Sequence, residues 1–250
     1  MTGHAAEDWG IGPAQPQPRS DEVHLWRGWL SGTNVAALRS TLSTDAVARA
    51  GRDRRSLDRD RFVAARGLLR MVLARYVDRP PEELRFNVSP QGKPVLADLA
   101  TDGPRFNVAH SANLLIVAVV QDREIGVDVE QVRAEGDVDG VAAMTFSDSE
   151  RATIASLPGD ERAAAFFTGW VRKEACAKVT GEGVSVAMAE IDVLRSDRST
   201  PVVVTLPNAA GMNVAVHSLV PGPGYVGATA VEATHSPVSI FHRWTVEEHG

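Results

Sequence analysis

The chain has 250 residues, of which 44% are hydrophobic and 23% are charged, and its formal net charge is −6. This length allows one or two domains with a sizeable core, and every apolar run is shorter than the roughly 18 residues that a membrane-spanning helix needs. The negative charge argues against nucleic acid as a partner, and a single cysteine, Cys176, cannot form an intrachain disulfide. Residues 1–20 lack the basic and then apolar pattern of a leader, so we expect a cytoplasmic protein with no membrane partner.

Positive charge is concentrated in one stretch of the chain. Between Arg49 and Arg79 there are ten arginines and four aspartates. A local basic face on an acidic protein suits a small polyanion better than a long duplex, although a solvated helix with neutralising neighbours is an equally good interpretation. Only three of the 26 basic residues are lysines, Lys93, Lys173 and Lys178. A lysine differs from an arginine in having a compact ammonium that can lose its proton, so these three positions are candidates for a functional role.

The first half of the chain mixes helical and strand-like periodicity. The patterns predict a strand at 23–30, short helices at 34–42 and 43–50, a long helix at 56–77, and strands at 84–88, 94–96, 105–109 and 114–120. The double proline at 80–81 ends the long helix.

The second half repeats this arrangement. A strand at 125–130 is predicted to form an antiparallel hairpin with 114–120, and Ser147 and Glu150 form a capping box that opens a helix. The remaining predictions are a helix at 161–179 and strands at 191–194, 202–206, 212–217 and 225–230. The pattern favours an α+β fold of two similar lobes, at 21–122 and 123–240, with a loosely attached arm at 1–20 and a tail at 241–250.

Two carboxylates share one face of the strand at 125–130. Side chains alternate along a strand, so Asp128 and Glu130 lie on the face opposite Val127 and Val129. Such a pair suits Mg²⁺, which takes one or two protein carboxylates and completes its octahedron with water and substrate phosphate. A solvated strand face is the alternative, because this tripeptide pattern is common.

The helix at 161–179 carries an aromatic, a carboxylate and an ammonium along one stripe. Trp170, Glu174 and Lys178 are successive i, i+4 neighbours. They indicate either a surface ion pair beside a core tryptophan, or a third metal carboxylate beside a lysine that contacts phosphate or donates a proton.

His110 follows a strand at the start of a polar turn, where a structural role is the alternative to a functional one. We expect Cys176 to contribute only packing, because the sequence has no cluster of Cys and His with metal-ligand spacing. The commonest nucleotide-binding and hydrolase signatures are also absent from the sequence.

Taken together, these motifs resemble those of the Sfp-type 4'-phosphopantetheinyl transferases, from about residue 56 to residue 186. The resemblance rests on Gly92-Lys93-Pro94, Phe106-Asn107-x-x-His110-Ser111, Gly126-x-Asp128-x-Glu130 and Trp170-x-x-Lys173-Glu174-Ala175-x-x-Lys178 with Gly181-x-Gly183 beyond. It implies a monomer of two α+β lobes related by a pseudo-twofold axis, with coenzyme A and Mg²⁺ in the cleft between them. It also implies transfer of the phosphopantetheine arm of coenzyme A to a serine of an apo acyl or peptidyl carrier protein.

The resemblance assigns a role to each matching residue. Asp128, Glu130 and Glu174 would hold Mg²⁺ against the coenzyme A pyrophosphate, and Glu174, directly or through a metal-bound water, would take the proton of the carrier serine. Lys178 would neutralise or protonate the leaving phosphate with help from Lys173, His110 would bind a phosphate of coenzyme A, and Lys93 with its loop would flank the adenine. Arg54 and Arg61 are the best matches to the family's contacts with the 3'-phosphate.

The chain departs from the family pattern at Ala109, where a serine usually precedes the histidine. A hydroxyl contact to the pyrophosphate is therefore missing, but the Ala109 backbone N–H remains, and we expect altered affinity for coenzyme A with activity retained. A Mg²⁺-dependent pyrophosphate hydrolase and a non-enzymatic binding module are the competing interpretations. The resemblance also suggests carriers of polyketide and nonribosomal peptide synthases, in secondary metabolism.

Overall fold

The computed structural model describes residues 8–50, 56–90, 92–97, 103–133, 138–181, 188–194, 201–207, 209–233 and 240–245. The strands are β1 (Gly10–Ile11), β2 (Glu22–Trp29), β3 (Phe86–Val88), β4 (Pro94–Leu96), β5 (Arg105–Ser111), β6 (Leu114–Val120), β7 (Ile125–Gln131), β8 (Val202–Thr205), β9 (Asn213–Leu219), β10 (Tyr225–Glu232) and β11 (Ile240–Thr245). The helices are α1 (Val35–Ser40), α2 (Thr44–Ala50), α3 (Ser56–Val77), α4 (Val138–Thr145), α5 (Asp148–Ala155) and α6 (Gly159–Thr180), with single 3-10 turns at Pro81–Glu83 and Met188–Glu190. The fold is α+β, as the sequence predicts.

Two sheets form the framework. The first has the strand order β1-β11-β2-β6-β5 and the second has the order β7-β10-β9-β8, while β3 and β4 pair separately. The long helix α3 packs its apolar side chains, including Leu68, Val72 and Leu73, on the first sheet. In the same way α6 buries Val171, Ala175 and Val179 against the second sheet. Each lobe is therefore a sheet covered on one face by a 22-residue helix.

The two sheets also bury apolar faces against each other. Alternate residues of β6, such as Ile116 and Ala118, join Val127 and Val129 of β7 in one cluster that contains residues of both sheets. Because side chains alternate along β7, the other face of this strand, with Gly126, Asp128 and Glu130, is turned away from that cluster toward α6. The predicted alternation is thus confirmed.

A seam joins the edge strands β5 and β7, which belong to different sheets. The buried Asn107 side chain accepts a hydrogen bond from Val127 N at 3.0 Å, and Ser111 Oγ accepts one from Gln131 N at 3.2 Å. These side chains satisfy edge N–H groups that a neighbouring strand would otherwise bind. Asn107 and Ser111 therefore fix the position of β7 relative to β5.

The predicted hairpin between 114–120 and 125–130 is wrong. β6 pairs with β5 and β2, whereas β7 pairs with β10. The tight connection is the one between β5 and β6, where Ala112 takes a positive φ of 48°. The polar residues after β6 carry the chain from the first sheet to the second.

The predicted strand at 191–194 is irregular in the structure. Side chains form hydrogen bonds with the backbone of this segment: Glu150 accepts from Val193 N at 2.9 Å, and Arg172 donates to Val193 O at 2.7 Å. The segment has no need of a strand partner, because its hydrogen bonds are already made.

Both ends of the described chain belong to the first sheet. β11 runs parallel to β2 and β1 runs parallel to β11, and the Trp9 side chain is buried in the cluster between the sheets. Residues 241–245, within the predicted tail at 241–250, thus lie in a strand, as do residues 10–11 within the predicted arm at 1–20. The lobe boundaries at 21–122 and 123–240 stay a prediction.

Gly126 allows α6 to approach β7 closely. A Cβ built at this position would lie 1.9 Å from Ala175 O and 2.9 Å from Val179 N, both backbone atoms of α6. Any side chain here must push the helix, and with it Glu174 and Lys178, away from the strand.

We predict that Gly126→Ala destabilises the protein by about 1–3 kcal/mol, because a well-packed contact is overfilled. Thermal unfolding would be measured for this variant and for Gly159→Ala, where a Cβ meets nothing within 4 Å. A Gly126→Ala variant as stable as Gly159→Ala would contradict the close approach.

Candidate active site

Asp128 is the centre of the cleft between β7 and α6. Lys178 Nζ donates to Asp128 Oδ1 at 2.6 Å, and the Asp128 residue is 6% exposed. Within the described part of the chain, the buried Asp128 Oδ2 atom has no hydrogen-bond partner. Burial raises the pKa of Asp128 to about 6, although Lys178 opposes the shift. A buried carboxylate with a free oxygen is suited to a cation.

Two further carboxylates lie next to Asp128. Ser111 Oγ donates to Glu130 Oε2 at 2.6 Å, which holds Glu130 at the seam. Glu174, one helical turn before Lys178, is half-buried, and this burial together with the negative charge of Glu130 raises the pKa of Glu174. The charges of Glu174 and Glu130 also raise the pKa of Asp128. Lys178 thus bonds to Asp128 and opposes the pKa shift of Glu174, while the charge of Glu130 acts on both carboxylates.

This donor set fits a hard divalent cation. Oxygen ligands from a rigid strand and a helix suit Mg²⁺, which keeps several coordination positions for water and phosphate. A nearby cation would bind the free Asp128 Oδ2 and would lower the raised pKa values of Asp128 and Glu174. The electrostatic coupling puts Glu130 and Glu174 in the neighbourhood of Asp128, but their carboxylate oxygens do not all lie within 4.8 Å of one another, so their role as metal ligands stays a prediction.

A basic rim borders the acidic centre. His110 is exposed at the end of β5, and partial loss of hydration, followed by the charges of Lys178 and Arg66, lowers the pKa of His110. Arg61 also acts on His110, and its side chain donates to Asn113 Oδ1 at 3.1 Å. The rim thus combines one exposed imidazole of β5 with cationic groups of α3 and α6.

Arginines of α2 and α3 extend this rim. The guanidinium groups of Arg49 and Arg66 lie 5.9 and 5.6 Å from the ring of Phe62, and burial together with the charge of Arg49 lowers the pKa of Arg66. Among the residues that the structure describes, no ion pair involves Arg49, Arg61 or Arg66. Converging cations without carboxylate partners suit an anionic ligand.

The sequence patterns did not indicate Arg66 or the seam role of Asn107. Arg66 lies on α3, and its charge acts on His110 because this helix packs on the first sheet. Arg54, predicted to contact a phosphate, lies outside the described residues. Ala109, where the family has serine, packs its methyl group in the cluster between the sheets.

A cavity of about 220 Å³ opens beside the cleft. It is lined by residues of β5, α6 and the loop before β4: Gly92, Lys93, Pro94, Asn107, Val108, Lys178 and Gly181. Lys93 Nζ donates to Glu124 Oε2 at 3.0 Å, Ile125 O at 2.9 Å and Val179 O at 3.3 Å. The Lys93 ammonium therefore ties β7 to the end of α6, while its loop lines the cavity.

The role predicted for Lys173 is wrong. Lys173 is completely buried, with Nζ 2.7 Å from Glu150 Oε2, and it donates to Met188 O and Ile191 O. Its ammonium also lies 5.2 Å from the centre of the Phe146 ring. Neighbouring residues of a helix point about 100° apart, so Lys173 faces the protein interior while Glu174 faces the cleft.

Cys176 is also completely buried, and burial raises its pKa to about 12. The side chain belongs to the apolar cluster between α6 and the second sheet. The prediction that Cys176 contributes packing is confirmed.

In the described part of the chain, no helix is long and apolar enough to span a membrane.

We predict that Lys173→Met lowers stability by about 3–5 kcal/mol, because the buried Glu150 carboxylate loses its counter-ion. Arg162, whose side chain is 40% exposed and pairs with the 79% exposed Asp139, is the matched control on the same helix. Calorimetry should give a much smaller stability loss for Arg162→Met, because its partner carboxylate stays solvated. A Lys173→Met variant that keeps wild-type stability would contradict the buried pair.

Comparison with known proteins places these observations in a family. Residues 124–230 match the 4'-phosphopantetheinyl transferase superfamily. The 4'-phosphopantetheinyl transferase HetI of Nostoc sp. is 37% identical over 215 residues, which cover 85% of this chain and 88% of the relative. Sfp of Bacillus subtilis, also a 4'-phosphopantetheinyl transferase, is 28% identical over 142 residues, covering 57% of this chain and 61% of the relative.

A putative 4'-phosphopantetheinyl transferase of Synechocystis sp. is 36% identical over 166 residues, which cover 65% of this chain and 68% of the relative. The HetI match extends over most of both chains. The chain belongs to the 4'-phosphopantetheinyl transferase superfamily.

Proposed function

We propose that the chain transfers the 4'-phosphopantetheine arm of coenzyme A to a serine of apo carrier proteins. The products are the holo carrier and adenosine 3',5'-bisphosphate. One observation carries the proposal: Lys178 bonds to the buried Asp128, which has two acidic neighbours, beside a rim whose Arg61 and Arg66 form no ion pair among the described residues. This arrangement suits a substrate that brings both a pyrophosphate and a further phosphate.

The reaction exchanges a phosphoanhydride bond of coenzyme A for a phosphodiester bond to the carrier. The carrier serine oxygen bonds to the phosphorus next to the pantetheine, and the bond from that phosphorus to the bridging oxygen of the pyrophosphate breaks. Glu174 takes the serine proton as the general base. Lys178 stabilises the negative charge that develops on the departing adenosine bisphosphate.

Asp128, Glu130 and Glu174 would hold Mg²⁺, which, when bound, neutralises the charge of the pyrophosphate. Phosphoryl transfer of this kind asks the protein for positioning and charge neutralisation. The seam residue Ser111 contributes to both, because it orients Glu130 and binds the backbone of β7.

We assign the rim of His110, Arg61 and Arg66 to the 3'-phosphate of coenzyme A. Its support is the position of His110 near Arg61 and Arg66: burial, followed by the charges of Lys178, Arg66 and Arg61, lowers the pKa of His110. The cavity beside Pro94 and Val108 would receive the adenine, flanked by the loop that Lys93 anchors.

We propose an Sfp-type monomer of the cytoplasm that modifies acyl and peptidyl carrier domains of polyketide and nonribosomal peptide synthesis. Met144, 79% exposed on α4, is a candidate contact for the carrier, whereas Phe146 is 1% exposed and belongs to the core.

The first test is the intact mass of purified apo acyl and peptidyl carriers after incubation with the chain, coenzyme A and Mg²⁺. We expect each accepted carrier to gain one phosphopantetheine, and EDTA to prevent the gain. Asp128→Ala and Glu174→Ala should lose transfer by more than a hundredfold while remaining folded by circular dichroism, because both lie in the metal set.

Other outcomes of this test support competing functions. Consumption of coenzyme A without a change in carrier mass would indicate a pyrophosphate hydrolase. Coenzyme A binding without any reaction would indicate a binding module. Near-normal turnover in the Asp128→Ala variant would contradict the metal assignment.

A second prediction tests the phosphate rim. We expect Arg66→Ala to raise the KM for coenzyme A by about 10-fold or more, because a charged hydrogen bond contributes about 1.5–3 kcal/mol. The KM for 3'-dephospho-coenzyme A should change little, since that substrate lacks the phosphate. Arg59→Ala is the matched control, because the Arg59 side chain is 41% exposed and lies beside Asp60. Equal effects on both substrates would contradict the assignment.

A further inference from the structure

A second group of metal-ligating side chains lies on the first sheet, away from the cleft. Glu22 and His24 are two residues apart on β2 and therefore point to the same face. β11 runs parallel to β2, with His242 directly opposite His24. The strand β6 separates β2 from β5, the strand that borders the cleft. The cluster is thus independent of the transfer site.

The distances in this cluster match those of a zinc site. His24 Nε2 lies 3.4 Å from Glu22 Oε2, and His242 Nε2 lies 3.5 Å from Glu22 Oε1. Zinc bonds of about 2.0–2.1 Å in a tetrahedron place neighbouring ligand atoms about 3.3–3.4 Å apart. One ligand atom from each of the three residues lies within 4.8 Å of the others, so small side-chain rotations complete the set.

The surroundings of His24 leave one ring nitrogen for a metal. His24 Nδ1 lies 3.0 Å from Tyr76 Oη on α3, and Tyr76 Oη accepts a hydrogen bond from Trp26 Nε1 at 2.7 Å. Metal-binding histidines usually have their second nitrogen held by such a partner, which orients the ring. The His24 ring is thereby aimed at Glu22 through Nε2.

His242 provides access from solvent. Its side chain is 38% exposed, whereas those of His24 and Glu22 are 2% and 9% exposed. The ring of Trp244 stacks on that of His242 at 5.2 Å between centres and supports it from one side. The Arg19 side chain, which lies 3.7 Å from Glu22 Oε1, is 66% exposed and has room to move away.

We propose that Glu22, His24 and His242 form a site for Zn²⁺, with water as the fourth ligand. Two imidazoles and one carboxylate are donors that suit zinc better than Mg²⁺, which prefers oxygen alone. The ion would clamp β11, the last described strand, to β2. The site therefore stabilises the first sheet and takes no part in the transfer reaction.

The test is a Zn²⁺ titration of the full chain after EDTA treatment and removal of the chelator. Excess Mg²⁺ occupies the acidic cleft, and a chromophoric zinc chelator competes for the ion. We expect one Zn²⁺ per chain with submicromolar affinity, and a melting temperature that rises by about 5 °C or more at a hundredfold excess over Kd. Co²⁺ in place of Zn²⁺ should give the absorption bands of tetrahedral coordination.

Variants separate this site from the cleft. His242→Gln, at the more exposed ligand, should weaken zinc binding at least 100-fold, and Glu22→Gln should do the same. Asp21→Asn, at the adjacent carboxylate, and Asp128→Asn, in the cleft, should keep the bound zinc. Failure to bind zinc would overturn the proposal, as would a zinc ion lost in Asp128→Asn and retained in His242→Gln.

Discussion

The hydrogen bond from Val127 N–H to the side chain of Asn107 fixes how the two sheets meet, and the positions of the cleft residues on β7 depend on it. It joins the edge strands of two sheets that share no backbone pairing at that edge. A buried amide group left without a partner would cost about 1–3 kcal/mol, so the contact fixes the register between the lobes. Every cleft residue on β7 takes its position from this register.

The centre of the cleft has an excess of negative charge, and its rim has an excess of positive charge. Asp128 and its acidic neighbours share one ammonium, that of Lys178, and burial works against the ionised carboxylates. The rim has the opposite excess, because His110 faces arginines with no described ion pair. An acidic centre beside a basic rim is complementary to a metal-bound pyrophosphate that carries a separate phosphate. The charge pattern of the site therefore agrees with membership of the family.

Local periodicity predicted much of the fold and the acidic part of the site. Alternation along β7 separates Asp128 and Glu130 from Val127 and Val129, and the i, i+4 spacing on α6 brings Glu174 and Lys178 to the cleft. The same helical geometry would have directed Lys173 elsewhere, because it lies one residue before Glu174. Lys173 is buried because it pairs with Glu150 of α5. This contact joins two separate helices, so periodicity along one helix does not reveal it.

Long-range contacts account for what the sequence could not predict. The chain crosses between sheets after β6 because the edge of β7 binds the side chains of β5, not the backbone of β6. Arg66 reaches His110 only through the packing of α3 on the first sheet. β11 joins β2 although more than 200 residues separate them in the chain.

The most direct test of the account is the coordination of a divalent ion in the cleft. Mn²⁺, which replaces Mg²⁺ and is paramagnetic, would be studied by electron-nuclear double resonance in the presence of coenzyme A. The account predicts phosphorus couplings from the pyrophosphate that disappear in Asp128→Asn. Bound Mn²⁺ without phosphorus coupling, or with coupling that Asp128→Asn leaves unchanged, would contradict it.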